Sequence, residues 1–161
     1  MEKEVLLALK GLQFAMDEEG AQALETITPA EYYKKNDSHY IIYDEVTEGF
    51  QDTTKNIIKF TGSQMEVTKK GLVNVHMIFE QNKKNMTSYA TPFGNILIGI
   101  DTDAVEIEEE KDAIRVNVEY SLEANYEHMA DCNIEMKIRP REEGFDLQAT
   151  FRFRQNKASK A

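Results

Sequence analysis

The chain has no tryptophan, one cysteine, three prolines and three histidines among its 161 residues. Each shortage excludes something. A lone thiol, Cys132, cannot close an intramolecular disulfide, so a cystine-stapled secreted domain is disfavoured and a reducing interior favoured. His39, His76 and His128 are scattered, and no pair has metal-ligand spacing. No metal or cofactor is expected. Positive charge is scarce too, with 19 Lys and Arg against 29 Asp and Glu, a net charge of -10. Such a chain repels phosphate backbones and anionic lipids, so neither nucleic acid nor a membrane is an expected partner. No stretch approaches the ~20 apolar residues of a membrane helix. The apolar run at Val5-Leu6-Leu7-Ala8-Leu9 is too short for a secretory signal and follows acidic residues. The expected location is cytoplasmic.

What is present is alternation. Ile114, Val116, Val118, Tyr120 and Leu122 are apolar, while Arg115, Asn117, Glu119, Ser121 and Glu123 between them are polar. A period of two marks a strand with one dry face and one wet face. The same pattern runs through Val73, Val75, Met77 and Phe79, and through Cys132, Ile134, Met136 and Ile138. Phe145, Leu147, Ala149, Phe151 and Phe153 repeat it after a turn at Pro140–Gly144. Turn signals recur at Asp17–Gly20, Lys35–Ser38, Lys69–Gly71, Asn82–Asn85 and Glu108–Asp112. Two irregularities predict bends. Val5, Leu7 and Leu9 give way to Leu12, Phe14 and Met16 across Gly11, and Ile96, Ile98 and Ile100 give way to Val105 and Ile107 across Asp101–Ala104. A change of parity within a strand is a bulge or a corner. Pro29 cannot donate to a ladder and should sit at an edge or bulge.

The predicted fold is all-β: one antiparallel meander of roughly eight to ten strands, closed into a calycin- or lipocalin-like barrel because closure removes exposed edges. Residues 1–154 are assigned to this barrel and 155–161 to a disordered basic tail. Whether residues 142–161 close the barrel or extend from it is left open by the pattern.

The Thr91-Pro92-Phe93-Gly94 turn, the long strand after it, the Glu-rich turn and the returning Val118-Glu119-Tyr120 resemble the YwiB-like proteins. Tyr32-Tyr33 and the Tyr40-Ile41-Ile42-Tyr43-Asp44-Glu45 run do so as well. The resemblance spans roughly residues 3–139 and implies a calycin-like barrel in a bacterial cytosol; it carries no activity and no catalytic residues. The lipocalin Gly-x-Trp mark is absent, and Arg152-Phe153-Arg154 lacks the tyrosine of the fatty-acid-binding proteins' Arg-x-Tyr. Fold alone does not transfer a lipid-carrier role.

No Gly-rich phosphate loop, Ser-centred elbow or zinc pattern is present, so no catalytic residue is named and an enzyme is the least favoured class. Cys132 shares the apolar parity of its strand and is expected to be a buried, inert thiol. The acidic run Glu106–Asp112 reads as a solvated turn and Asp101 with Asp103 as corner residues. His76 falls on a polar face and His128 in the polar connection Asn125–Ala130. Tyr32, Tyr40, Tyr43, Tyr89, Tyr120, Arg115 and Arg152 would fix the polar end of a ligand if they faced a lumen; parity turns Tyr120 inward and Arg115 outward. The leading expectation is a small-molecule binding module with an apolar lumen lined by Tyr120, Val118, Phe79, Met77, Met136 and Phe151. The alternative is a structural or interaction protein with a filled barrel, working through a protein partner or as a homo-oligomer.

Overall fold

The computed structural model describes residues 3–17, 20–47 and 49–141. Ten strands follow one another: β1 (Glu4–Asp17), β2 (Gly20–Lys35), β3 (Ser38–Val46), β4 (Thr53–Thr61), β5 (Gln64–Gly71), β6 (Val75–Glu80), β7 (Lys83–Thr91), β8 (Gly94–Glu109), β9 (Ile114–Ala124) and β10 (Glu127–Pro140). Among the described residues there is no helix. Several connections are two-residue turns. Asn36 and Asp37 carry φ of 51° and 65°, and Asn125 and Tyr126 carry 50° and 70°. Paired left-handed residues match the twist of a hairpin, and Asn and Asp adopt that region at little strain.

The strand order is β6-β5-β4-β3-β2-β1-β10-β9-β8-β7. The first strand pairs with the tenth from Val5↔Pro140 to Lys10↔Glu135, and this ladder bends the meander into an antiparallel barrel. Closure is incomplete in one place. Strands β6 and β7 are sequence neighbours, yet among the described residues they share only the isolated bridge Asn74↔Ala90. Its two backbone bonds measure 2.9 and 3.0 Å. Farther along the seam, the Asn85 side-chain amide donates to the Ile78 carbonyl at 3.3 Å. Full closure was the expectation; a barrel with a seam between β6 and β7 is the finding. Strand β2 pairs with β1 from Glu4↔Glu31 to Asp17↔Gly20 but with β3 only over Glu31–Lys35, so among the described residues Glu25–Ala30 have no ladder on the β3 side. Pro29 lies just before that second ladder begins, where a missing N–H costs nothing.

Both predicted bends occur. The β1–β2 register shifts between Lys10 and Phe14, and the β8–β9 register shifts between Thr102 and Ala104. At the first, Gly11 has φ +93°, and an added Cβ would lie 1.9 Å from the Asn133 carbonyl oxygen, so only glycine fits. At the second, the β6–β7 turn fills the gap: Val105 N–H donates to the Gln81 side chain at 3.2 Å, and Asn82 N–H donates to the Thr102 carbonyl at 2.8 Å.

The core is the barrel interior. It contains Leu7, Ile41, Ile58, Phe60, Met65, Val67, Phe79, Ile134 and Ile138, all almost wholly buried. Each such side chain contributes about 1.5–3 kcal/mol relative to exposure. The proposed strand Phe145–Phe153 and the basic tail lie outside the described residues, as does any part they take in the domain.

Candidate functional site

The alternation that builds the strands also stacks the interior in layers. Tyr43, Asn56, Lys69 and Val75 are register partners across β3, β4, β5 and β6, and all four point inward. Two residues farther along each strand lie Ile41, Ile58, Val67 and Met77, then His39, Phe60, Met65 and Phe79. One interior wall is therefore polar near one end of the barrel, apolar in the middle, and polar again at His39.

The two ends differ in access. At the end bearing His39, the side chains of Phe60, Met65, Phe79, Ile114 and Ile138 are buried. At the other, inward-facing Tyr89, Leu122 and Cys132 are only half-buried. This second end is the less tightly packed of the two, and we call it the mouth. Around it stand Val46, Phe50, Phe93, Ile96, Tyr126 and Met129, all exposed, with Phe93 at 88% and Tyr126 at 77%. The Phe50 and Phe93 rings meet edge-on at 6.4 Å. Phe93 is held at its turn because Thr91 Oγ1 accepts from Phe93 N–H at 3.1 Å and donates to the Gly94 carbonyl at 2.8 Å.

Just inside the mouth is a buried ion pair. Lys69, 3% exposed at its side chain, donates from Nζ to Glu45 Oε1 at 3.0 Å and to Asn56 Oδ1 at 2.8 Å. Asn56 Nδ2 donates to the same Glu45 oxygen at 3.2 Å and to the Thr54 carbonyl at 3.3 Å. Burial holds the Lys69 ammonium below its usual range, and the Glu45 carboxylate opposes that shift. The Tyr43 hydroxyl, next to this group, is buried with no hydrogen-bond partner among the described residues. Burial first, and then the charge of Glu45, push the Tyr43 phenol well above its ordinary value. Tyr89, from β7, is raised by the same two causes in the same order.

At the closed end, His39 is 5% exposed and stacks on Phe60 at 4.7 Å with the rings 9° from parallel. Its Nε2 lies 2.9 Å from Glu109 Oε1 and its Nδ1 2.8 Å from the Tyr32 hydroxyl. An ionised carboxylate only accepts, so Nε2 carries the proton; in the neutral ring Nδ1 then accepts from Tyr32. Burial lowers the His39 pKa, with Glu109 pulling it up and Lys34 pushing it down. A hollow of about 300 Å³ opens here, lined in part by Lys34, Asp37, His39 and Glu109. Among the described residues no group of three or more His, Cys, Asp or Glu could hold a metal ion.

The family model described as a domain of unknown function, DUF1934, matches residues 8–136. The chain belongs to the DUF1934 family. A crystal structure of the ywiB protein from Bacillus subtilis has a similar fold, with a TM-score of 0.71 over 87% of this chain and 94% of that one at 20% identity. No curated protein matches the chain. The YwiB-like resemblance and the barrel fold read from the strands thus agree with both comparisons.

In this DUF1934 barrel, Tyr120, Val118, Phe79, Met77 and Met136 all lie in the buried core cluster, and Phe151 falls outside the described residues. Phe79 and Tyr120 meet edge-on at 4.9 Å, so the middle of the barrel is occupied by side chains. The larger hollow, about 560 Å³, is on the outside of the wall, between charged residues such as Lys10, Glu106, Arg115 and Glu135. Of the aromatic and arginine set, Tyr32, Tyr43 and Tyr120 are buried. Tyr40 instead stacks on exposed Tyr33 at 4.7 Å, and Arg115 pairs outside with Glu110 at 3.0 Å. Arg152 lies outside the described residues.

Four expectations need correction. Cys132 is half-buried, not buried; burial raises its thiol pKa against a lowering by its hydrogen bond to Tyr120. His128 is on β10, bonded to Asp131 at 3.1 Å, because Asn125 and Tyr126 suffice for the turn. Glu109 is not a freely solvated turn residue but the partner of His39. Lys69 is not a turn residue but a buried side chain of β5. The last two were detectable: Lys69 shares parity with Met65 and Val67, and His39 with Ile41 and Tyr43.

Proposed function

We propose that this DUF1934 barrel is a binding module for one small molecule, mainly apolar with a polar end, seated in the mouth. The observation that carries the reading is the Tyr43 hydroxyl, buried and unpartnered beside the Lys69–Glu45–Asn56 group. Buried hydroxyls are nearly always bonded, and one left open beside the less tightly packed end of the barrel suits a guest that supplies an acceptor. Half-buried Tyr89, Leu122 and Cys132 form a wall, and the exposed apolar rim eases passage of an apolar body from water. Tyr120, Val118, Phe79, Met77 and Met136 form the apolar floor; methionines adapt their shape readily. A cytoplasmic setting goes with this proposal, because lone Cys132 suits a reducing compartment.

Native mass spectrometry of the protein purified from a bacterial cytosol tests it. The expected result is an added mass on the folded protein that denaturation releases. A bare monomer that also fails to take up the apolar dye nile red overturns it.

A second reading rests on the rim itself. Val46, Phe93, Ile96 and Tyr126 form an exposed apolar patch at one end, which also suits a protein partner or a second copy of the chain. A bare mass at twice the chain, reduced to one by Phe93→Ser, favours this reading.

A further inference from the structure

The mouth also carries information about which polar end it would take, and this inference rests on the binding reading above. The charges there balance: Lys69 contributes one positive charge and Glu45 one negative, 3.0 Å apart. Both N–H donors of Asn56 are engaged, to Glu45 and to the Thr54 carbonyl, and its oxygen accepts from Lys69. What is left over is specific. An ammonium has three N–H groups, and two of those on Lys69 are engaged among the described residues. The Tyr43 O–H has no partner. Both Glu45 bonds fall on Oε1, leaving Oε2 as an acceptor. The open donors are thus the third Lys69 N–H and the Tyr43 O–H, and the open charged acceptor is Glu45 Oε2, around a neutral centre, with register placing Tyr43 next to Asn56 and Asn56 next to Lys69.

We propose that the mouth selects a neutral carboxamide-type head on an apolar chain. Its carbonyl oxygen accepts from Lys69 and Tyr43, and its N–H donates to Glu45. A carboxylate head gains Lys69 but meets Glu45 as a like charge; an ammonium head has the reverse difficulty. Either charge also gives up hydration that a neutral site does not repay. Removing the Tyr43 hydroxyl takes away one donor without leaving a protein group unpaired, because that hydroxyl has no partner now.

The test is displacement of nile red at neutral pH by decanamide, decanoate and decylamine, which share one tail. Decanamide is expected to compete at concentrations about tenfold or more below the other two, the factor one charge-assisted hydrogen bond supplies. Tyr43→Phe is expected to shrink that preference several-fold while thermal melting is unchanged or slightly raised. Three equal competitors would overturn the head assignment and leave the binding reading intact. A preference for decanoate or decylamine would overturn it too. No uptake of nile red and no competition at all would remove the binding reading and this inference with it.

Discussion

His39 Nε2 lies 2.9 Å from Glu109 Oε1, and this bond joins β3 to β8, strands that are not neighbours in the sheet. It is a cross-brace at the closed end, backed by the Tyr32 hydroxyl on Nδ1 and the Phe60 ring beneath.

Acid should weaken this brace. The folded chain holds His39 below its ordinary pKa, mainly by burial, with Glu109, Lys34 and Tyr32 facing the ring. The unfolded chain therefore takes up this proton first as pH falls below about 6.5. The stability contribution is complete above that pH and is lost as pH drops through the lowered folded value. The urea midpoint is expected to fall between pH of about 7.5 and 5.5, and to fall less in His39→Gln. Identical pH slopes in the two proteins would show that His39 plays no part.

Lys69→Met leaves Glu45 and the Asn56 carbonyl without their buried cation. Breaking a buried pair from one side costs about 3–5 kcal/mol. Glu45 keeps some contact with water, so the lower end of that range is expected, read from a denaturant titration. The double variant Lys69→Met with Glu45→Leu should recover much of the loss. A double variant weaker than the single one would contradict this account.

At Gly11 any side chain is excluded. Gly11→Ala would drive a Cβ to within 1.9 Å of the Asn133 oxygen from a φ of +93°. The expected loss is about 2–4 kcal/mol, combining overpacking with backbone strain. Amide hydrogen exchange should rise first along Val5–Lys10 and Glu135–Pro140, which form the closing ladder. Exchange raised uniformly over all strands would place the damage elsewhere.

Thr102 is fully buried on β8 and its Oγ1 has no partner among the described residues. Thr102→Val removes an unbonded hydroxyl at nearly constant volume. Stability should be unchanged or rise by up to about 1 kcal/mol. A clear loss would show that an ordered water bonds the threonine.

Much of the fold was legible because alternation reports which face a residue takes. β4 was readable as Thr53–Thr61, and the parity change across Asp101–Ala104 located its bulge. Alternation does not report which strand lies alongside. Nothing in Val5–Lys10 names Glu135–Pro140 as its partner, and a tight Gln81–Asn82 turn normally implies a ladder that β6 and β7 do not make. Turn chemistry misled where common turn residues fell inside strands. Lys83-Lys84-Asn85 belongs to β7, and the turn needs only Gln81 and Asn82, the latter at φ 64°. Tyr126 at φ 70° is the opposite case, an aromatic in a conformation that favours Asn or Gly. The candidate site was harder to read because its key side chains are polar. A lysine and a histidine on inward parity look like noise in an apolar stripe until the layers are assembled.

The β1–β10 ladder also sets a schedule for the newborn chain. Strand β1 finds its second neighbour only after the chain has been made through Pro140. Until then Val5–Lys10 presents one unpaired edge, and β1–β6 and β7–β9 are two open sheets that meet only at the seam. Closing so large a loop makes this a late, slow step in folding. A chain stalled before β10 would hold two open edges and an uncovered apolar face, the state in which sheets pair with strangers. The protein is therefore most exposed to aggregation during its own synthesis, and its last described strand serves as its safeguard.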